Sequence, residues 1–460
     1  MDGLIYDCIG RNMAEGIGSI WHPSYTATYQ EQFYGHPTLA MYLLSLCYRI
    51  AGEGIWVCRT YSLLMFVITG LLMLRLWQRV GGNSRNGWLP LLLWIAIQSV
   101  THFSYSNLLE VSMAPFVLSA VLMSIRAYHQ DKTVTKAIDL LLGGALLGGA
   151  FFVKGFTGLY PLGLPMLLSL VAYNSQYEPR WGERLWQGCK DSVLITIGCA
   201  GVIGAVLWLN EPARDYIVRY IQIQVIDTID KPTVDNRFYI VRAFFERTII
   251  VWVILGLTLT LRFTARQRNY DLSFTQYDQR LVTALSLLVM CGVLPIMASV
   301  KQSSFYILTV YPYFSVVAAM VIQPTIDRML AWRTRKTQWA CIAVAVLMLG
   351  GGVAYQAQAY GQPDRDVEMQ TDAWRIYPKL EKGERVAIDE SMNGIYSLHG
   401  YYYRDHHVSL DANDKDSRCR HLILTDAEQL LKYGRDTLYT EIPLQNTRYK
   451  LYEKKKIQQQ

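Results

Sequence analysis

Six ionisable side chains stand at the edges of long apolar runs. Asp2 and Asp7 lie in DGLIYDCIGRNMAEG, His36 in FYGHPTL, Glu110 in SNLLE, Lys154 in FFVKGFTGLYP and Lys301 in SVKQSSFYILTVYP. Beside hydrocarbon each costs free energy unless it is paired or hydrated, so each is a candidate site residue. The residue types suit one chemistry. A lysine ammonium is a compact charge for a phosphate, and an ionised carboxylate takes the proton that a hydroxyl or amine loses as it attacks. Lysines, a histidine and carboxylates facing one another at a membrane surface therefore suit a reaction in which a lipid-linked phosphate leaves. Asp2 and Glu110 are read as working acids and Asp7 as a hydrated surface residue. For either lysine the plainer reading is a side chain that snorkels from a tight turn.

The elements that must position these residues are membrane spans. Of 460 residues 52% are hydrophobic and only 18% charged, which excludes an ordinary soluble enzyme. The net charge of +7 comes from short basic clusters between apolar blocks, a membrane-topology pattern and not a nucleic-acid footprint, so no nucleic-acid partner is expected. Eight cysteines without a CxxC pair indicate neither a zinc site nor a disulfide framework. A span needs about 20 apolar residues. Ten blocks approach that length, near 57–77, 87–104, 107–127, 138–153, 156–173, 191–209, 247–262, 281–299, 304–323 and 338–355.

Basic loops follow every second block. They hold Arg79 and Arg85; Arg126, Lys132 and Lys136; Arg180, Arg184 and Lys190; Arg262, Arg266, Arg268 and Arg280; and Arg328, Arg333, Arg335 and Lys336. By the positive-inside rule these loops are cytoplasmic, which leaves 1–56, the turns at Tyr105, Lys154 and Lys301, the loop 210–246 and the tail external. A polar external start is expected to follow a translocating helix, so a further span is expected upstream of Met1. From about residue 360 the chain turns polar. VAID, HVSL and HLILT read as strands between helical stretches such as DAEQLLKYG. The expected architecture is an α-helical polytopic membrane domain over 1–355 and a small external α/β domain over 356–460.

At these residues the sequence resembles the protein O-mannosyltransferase and aminoarabinose transferase family, integral-membrane glycosyltransferases of the GT-C type that use polyprenyl-phosphate sugars. The family carries an acid directly after its first helix, then a pattern like YxxIARNMAEGxWxxP; here DGLIYDCIGRNMAEGIGSIWHP puts Asp2 on the catalytic carboxylate. FYGHPTL resembles FYxxPPL through His36 and Pro37, whereas Gly35 and Thr38 depart from it. NLLE sets Glu110 where relatives have an acid at the head of a span. KGFTGLYP and KQSSFYILTVYP resemble two later lysine motifs and imply lipid-phosphate roles for Lys154 and Lys301.

The resemblance covers roughly 1–355 and implies an inverting transfer on the external face. Asp2 would be the base, Glu110 would orient the acceptor or support Asp2, and His36, Lys154 and Lys301 would bind the donor. Arg214, Arg219, Arg237 and Arg242 of the 210–246 loop are further candidates for phosphate. Some aminoarabinose transferases bind a metal through a Glu in the FYxxPPL motif; Gly35 stands there, so no metal is expected, and no cofactor. The implied partners are a polyprenyl-phosphate-linked sugar, a protein or glycolipid acceptor and the lipid bilayer of a bacterial inner membrane. Modification of a lipid A-type glycolipid is the alternative within the class. A secondary transporter is the alternative outside it, and is disfavoured because the charges sit at span ends and not at the midplane.

Overall fold

The computed structural model describes residues 2–171, 180–227, 232–267, 279–331 and 365–455, apart from 415, 427, 433 and 434, with isolated positions between 339 and 358. The chain divides into two compact units. The larger comprises 13–23 and 33–331; the smaller comprises 1–12, 24–32 and 332–460.

The larger unit is helical. Its helices are α2 (Leu39–Ala51), α3 (Ile55–Arg79), α4 (Trp88–Ile95), α5 (Gln98–Phe103), α6 (Leu109–Tyr128), α7 (Thr133–Lys154), α8 (Leu164–Val171), α9 (Trp181–Leu209), α10 (Glu211–Tyr220), α11 (Tyr239–Arg247), α12 (Ile249–Gln267), α13 (Gln279–Val293) and α14 (Tyr311–Ala331), preceded by the end of α1 (Asp2–Glu15). Among the described residues five stretches are long and apolar enough to cross a membrane: α3, α6, α7, α9 and Gln279–Ala298; α11 with α12 makes a sixth if that bent pair counts as one span.

Three of the other expected blocks are interrupted. Block 87–104 divides at Ile97, whose backbone is extended, into α4 and α5. Block 156–173 starts with two 3-10 turns, the second holding Pro161, before α8. Block 304–323 starts with a 3-10 turn at Ser304–Ile307. Hydropathy measures apolar content and not helix continuity, so such breaks escape it. The block 338–355 lies largely outside the described residues.

Small residues set the closest packing. A Cβ at Gly144 would overlap the carbonyl oxygen of Ile195, and one at Gly198 that of Leu141, so α7 and α9 touch backbone to backbone. A short connection makes α6 and α7 antiparallel neighbours, which sets the first turn of α6 beside the last turn of α7.

The smaller unit is built on a five-stranded sheet of order β2-β1-β3-β5-β4, with β1 (Arg385–Ile388), β2 (Ser409–Asp411), β3 (His421–Leu424), β4 (Tyr439–Ile442) and β5 (Lys450–Lys454). β1 runs parallel to β2 and β3, whereas β5 is antiparallel to β3 and β4. Helices α15 (Val367–Ile376), α16 (Tyr396–His406) and the short α17 (Glu428–Lys432) accompany it, and Val386, Ile388, Leu398, Tyr402, Leu410, Ile423 and Leu451 form its core. Buried Asp372 accepts the backbone N–H groups of Thr447, Arg448 and Tyr449 at 2.8–2.9 Å, which fixes the approach to β5.

The expected strands VAID, HVSL and HLILT are β1, β2 and β3. Residues 2–12 of α1 pack into the same unit. Arg11 donates to the carbonyls of Tyr403 (2.9 Å) and Arg404, and Asn12 to those of Ser24 (2.9 Å) and Tyr25 (3.0 Å). The GRN of the opening motif is therefore a set of structural pins. Asp7 corrects the sequence reading: it is 2% exposed, and its charge acts on Arg404. The helical period of α1 turns it inward with Cys8, where the charge of half-buried Arg404 offsets part of the desolvation of the carboxylate.

Candidate functional site

Glu110 and Lys154 meet where α6 begins and α7 ends. Both are buried, and the Lys154 ammonium is paired with Glu110 Oε1. The geometry follows from the helices. An acid in a first turn and a base in a last turn each complement the local helix dipole, and the antiparallel hairpin brings those two ends together. Gly155 then stops α7 with φ +82°, a left-handed conformation that favours glycine. A Cβ there would also strike the Tyr220 hydroxyl, which lies 3.5 Å from the Lys154 carbonyl oxygen. The lysine-glycine step thus serves two needs: a helix stop, and a close approach by α10.

His36 joins from the loop before α2. Tyr216 of α10 donates to its carbonyl oxygen at 2.7 Å, and its ring stands 6.5 Å from that of Tyr220. The residue is half-buried, but its Nδ1 is enclosed. Burial, then the charges of Lys154 and Lys301, hold the imidazole well below its ordinary pKa, so at neutral pH it is an uncharged hydrogen-bonding group. Lys301, in the loop after Gln279–Ala298, donates to Gln224 Oε1 at 2.9 Å. Gln224 sits on a π-helical turn, Ile221–Ile226, that continues α10. Phe305 and Tyr306, a few residues beyond Lys301, set their rings 5.2 and 4.5 Å from the Lys154 ammonium.

Four of the five expected site residues, His36, Glu110, Lys154 and Lys301, therefore gather in the larger unit from four separate stretches of chain. Asp2 is the first residue of α1 and belongs to the smaller unit. The four loop arginines are exposed. Arg214 pairs with Glu211 (3.3 Å), Arg242 with Glu246 (2.6 Å), and Arg219 lies 5.6 Å from the Tyr34 ring. Sequence reasoning missed Tyr216, Tyr220, Gln224 and Tyr306. Tyr216, Tyr220 and Gln224 recur every fourth residue, one face of a helix, but their types are common in the chain, so only the fold singles them out as facing Lys154 and Lys301. Chemically the cluster offers two ammonium groups, one offset by a carboxylate, and a neutral imidazole against an aromatic wall. Such a surface suits a phosphate diester or monoester.

Residues 35–188 match the family model described as dolichyl-phosphate-mannose-protein mannosyltransferase. The whole chain is similar in structure to ArnT from Cupriavidus metallidurans bound to undecaprenyl phosphate, with a TM-score of 0.70 at 14% identity over 98% of this chain and 93% of that one. Against the same ArnT in the apo state the TM-score is 0.61, again at 14% identity, over 98% and 92%. Among curated proteins no sequence match is found. The fold is that of the GT-C membrane glycosyltransferases, with a small five-stranded α/β unit appended. The matched segment, 35–188, thus resembles a mannosyltransferase family within a chain that has the GT-C fold.

Proposed function

We propose that this enzyme moves a sugar from a polyprenyl-phosphate carrier to an envelope acceptor, protein or glycolipid, at the periplasmic face of a bacterial inner membrane, with inversion at the anomeric carbon. The observation that carries the reading is the meeting of Lys154, Glu110, Lys301 and the neutral His36 beside Tyr306. The acceptor hydroxyl or amine attacks the anomeric carbon while the carbon–oxygen bond to phosphate breaks. The polyprenyl phosphate leaves with the bonding pair, and the acceptor proton passes to the Asp2 carboxylate. Lys154 and Lys301 stabilise the charge gathering on the leaving phosphate, and His36 adds an N–H. Glu110 holds Lys154 until the phosphate arrives and then orients the acceptor. The external orientation rests on the basic loops.

Two assays on the reconstituted full chain, sugar transfer and donor binding, test the assignment. Asp2→Asn keeps the side-chain shape but loses the base, so transfer falls by roughly 100- to 10,000-fold while donor binding persists. Lys154→Ala and Lys301→Ala each weaken donor binding by roughly 1.5–3 kcal/mol, the worth of a charge-assisted hydrogen bond. Asp131→Asn, in an exposed loop, serves as the neutral control. Near-normal transfer by Asp2→Asn removes the base assignment. Unchanged donor binding in both lysine variants removes the phosphate site.

A further inference from the structure

The loop that carries Lys301 is held by a neighbouring side chain. Buried Gln302 donates from its amide to the carbonyls of Arg237 (2.9 Å) and Ser299 (2.7 Å), and its Oε1 accepts the Ile240 N–H (2.9 Å). That N–H is a first-turn donor of α11, for which the helix has no carbonyl, so Gln302 caps α11 from outside. Thr233 is a second tie. Its N–H donates to the Val300 carbonyl (3.1 Å), and its hydroxyl bonds the Gln302 carbonyl (3.1 Å) and N–H (2.9 Å). The Lys301 backbone is therefore anchored to α11 and its approach.

Helix α11 has two faces. Ile240, Ala243 and Phe244 are buried, with the Phe244 ring 5.1 Å from that of Phe314. On the other face Phe238, Arg242, Phe245 and Ile249 follow at steps of three or four, and the three apolar members are 65%, 50% and 56% exposed. The axis bends by 65° between α11 and α12, and exposed Ile250, Val253 and Leu257 of α12 continue the apolar strip. Where α12 runs along the membrane normal, the 65° bend lays α11 near the membrane plane. Phenylalanines interleaved with Arg237, Arg242 and Arg247 suit the boundary between headgroups and acyl chains.

We propose that α11 is seated in the bilayer interface and that Gln302 passes its position to Lys301, so that the membrane surface sets where this lysine stands. The bend and the apolar strip from Phe238 to Leu257, crossed by the Arg242–Glu246 pair, identify the occupant of the exposed face as the bilayer. Gln302 acts as a positioning residue. Its consequence for donor binding rests on the function proposed above, whereas the seat and the link do not.

The test uses the full chain in phosphatidylcholine nanodiscs containing a phosphatidylcholine with a diazirine near the glycerol end of its acyl chain. Irradiation should leave adducts within 238–248; labelling confined to α12 overturns the seat. Hydrogen exchange in the same discs reads the link. The double variant Phe238→Ser/Phe245→Ser should speed exchange at the Ile240, Lys301 and Gln302 amides roughly tenfold or more, and Gln302→Leu should do so at Ile240 and Lys301 with both rings intact. Unchanged exchange overturns the link. Gln302→Leu should also raise KM for the polyprenyl-phosphate donor roughly tenfold with kcat within about twofold, and Gln302→Glu, which keeps the acceptor for the Ile240 N–H, should recover part of it. An unaltered KM overturns the positioning role. If the parent chain transfers no sugar at all, the functional reading falls, and labelling and exchange still decide this one.

Discussion

At the scale of single residues the buried Glu110–Lys154 pair is the sharpest feature, because burial makes its two halves depend on each other. Removing one partner of a buried pair leaves a charge without its counter-ion and typically costs about 3–5 kcal/mol, whereas replacing both by apolar groups is often neutral. Glu110→Gln should therefore lower the thermal midpoint, read by tryptophan fluorescence in detergent. The double variant Glu110→Leu/Lys154→Met should recover that midpoint yet bind donor as weakly as Lys154→Ala does. A Glu110→Gln protein as stable as its parent would show that the pair has no such role. Both residues were legible in the sequence as charges at span ends. Their mutual contact was not, because it depends on α6 and α7 being antiparallel neighbours. Asp7 shows the opposite failure: a carboxylate in a polar opening segment looks hydrated until the fold buries it within the field of Arg404, far along the chain.

At the scale of elements the hairpin of α6 and α7 and its contact with α9 hold the site end in place, and glycines decide how closely they pack. Gly144→Ala would drive a methyl group into the Ile195 carbonyl, a backbone atom that yields only if α9 shifts. Gly204, also on α9, faces open space. Overpacking of this kind typically costs about 1–3 kcal/mol. Gly144→Ala should thus lower the detergent-solubilised thermal midpoint, while Gly204→Ala, which also gains helix propensity, should hold or raise it. Equal midpoints in the two variants would contradict backbone contact between α7 and α9. The GGALLGG run advertises small-residue packing in the sequence itself. Hydropathy found the apolar blocks, but the breaks at Ile97, at Pro161 and before Tyr311 are local backbone events inside uniformly apolar text, and periodicity does not register them.

At the scale of the molecule the question is which way the chain faces the membrane, and here loop charge carries the argument. The α6–α7 connection has Arg126, Lys132 and Lys136 about it, whereas the turns at Lys154 and Lys301 hold one lysine each. A site lysine in a lightly charged turn and a basic loop at the other end of the same helix pair fit external chemistry with cytoplasmic anchors. Single cysteines at Asp131, Ser303 and Glu390 test this in a background where Cys47, Cys189, Cys291 and Cys341 are replaced by Ala. Cys8, Cys58, Cys199 and Cys419 are buried and stay. With a membrane-impermeant maleimide added to intact cells whose outer membrane has been permeabilised, Ser303→Cys and Glu390→Cys should label. Asp131→Cys should label only after the inner membrane is opened. External labelling at Asp131 would invert the topology, put Lys154 and Lys301 on the cytoplasmic side, and require the donor sugar to be met there before any translocation of its carrier.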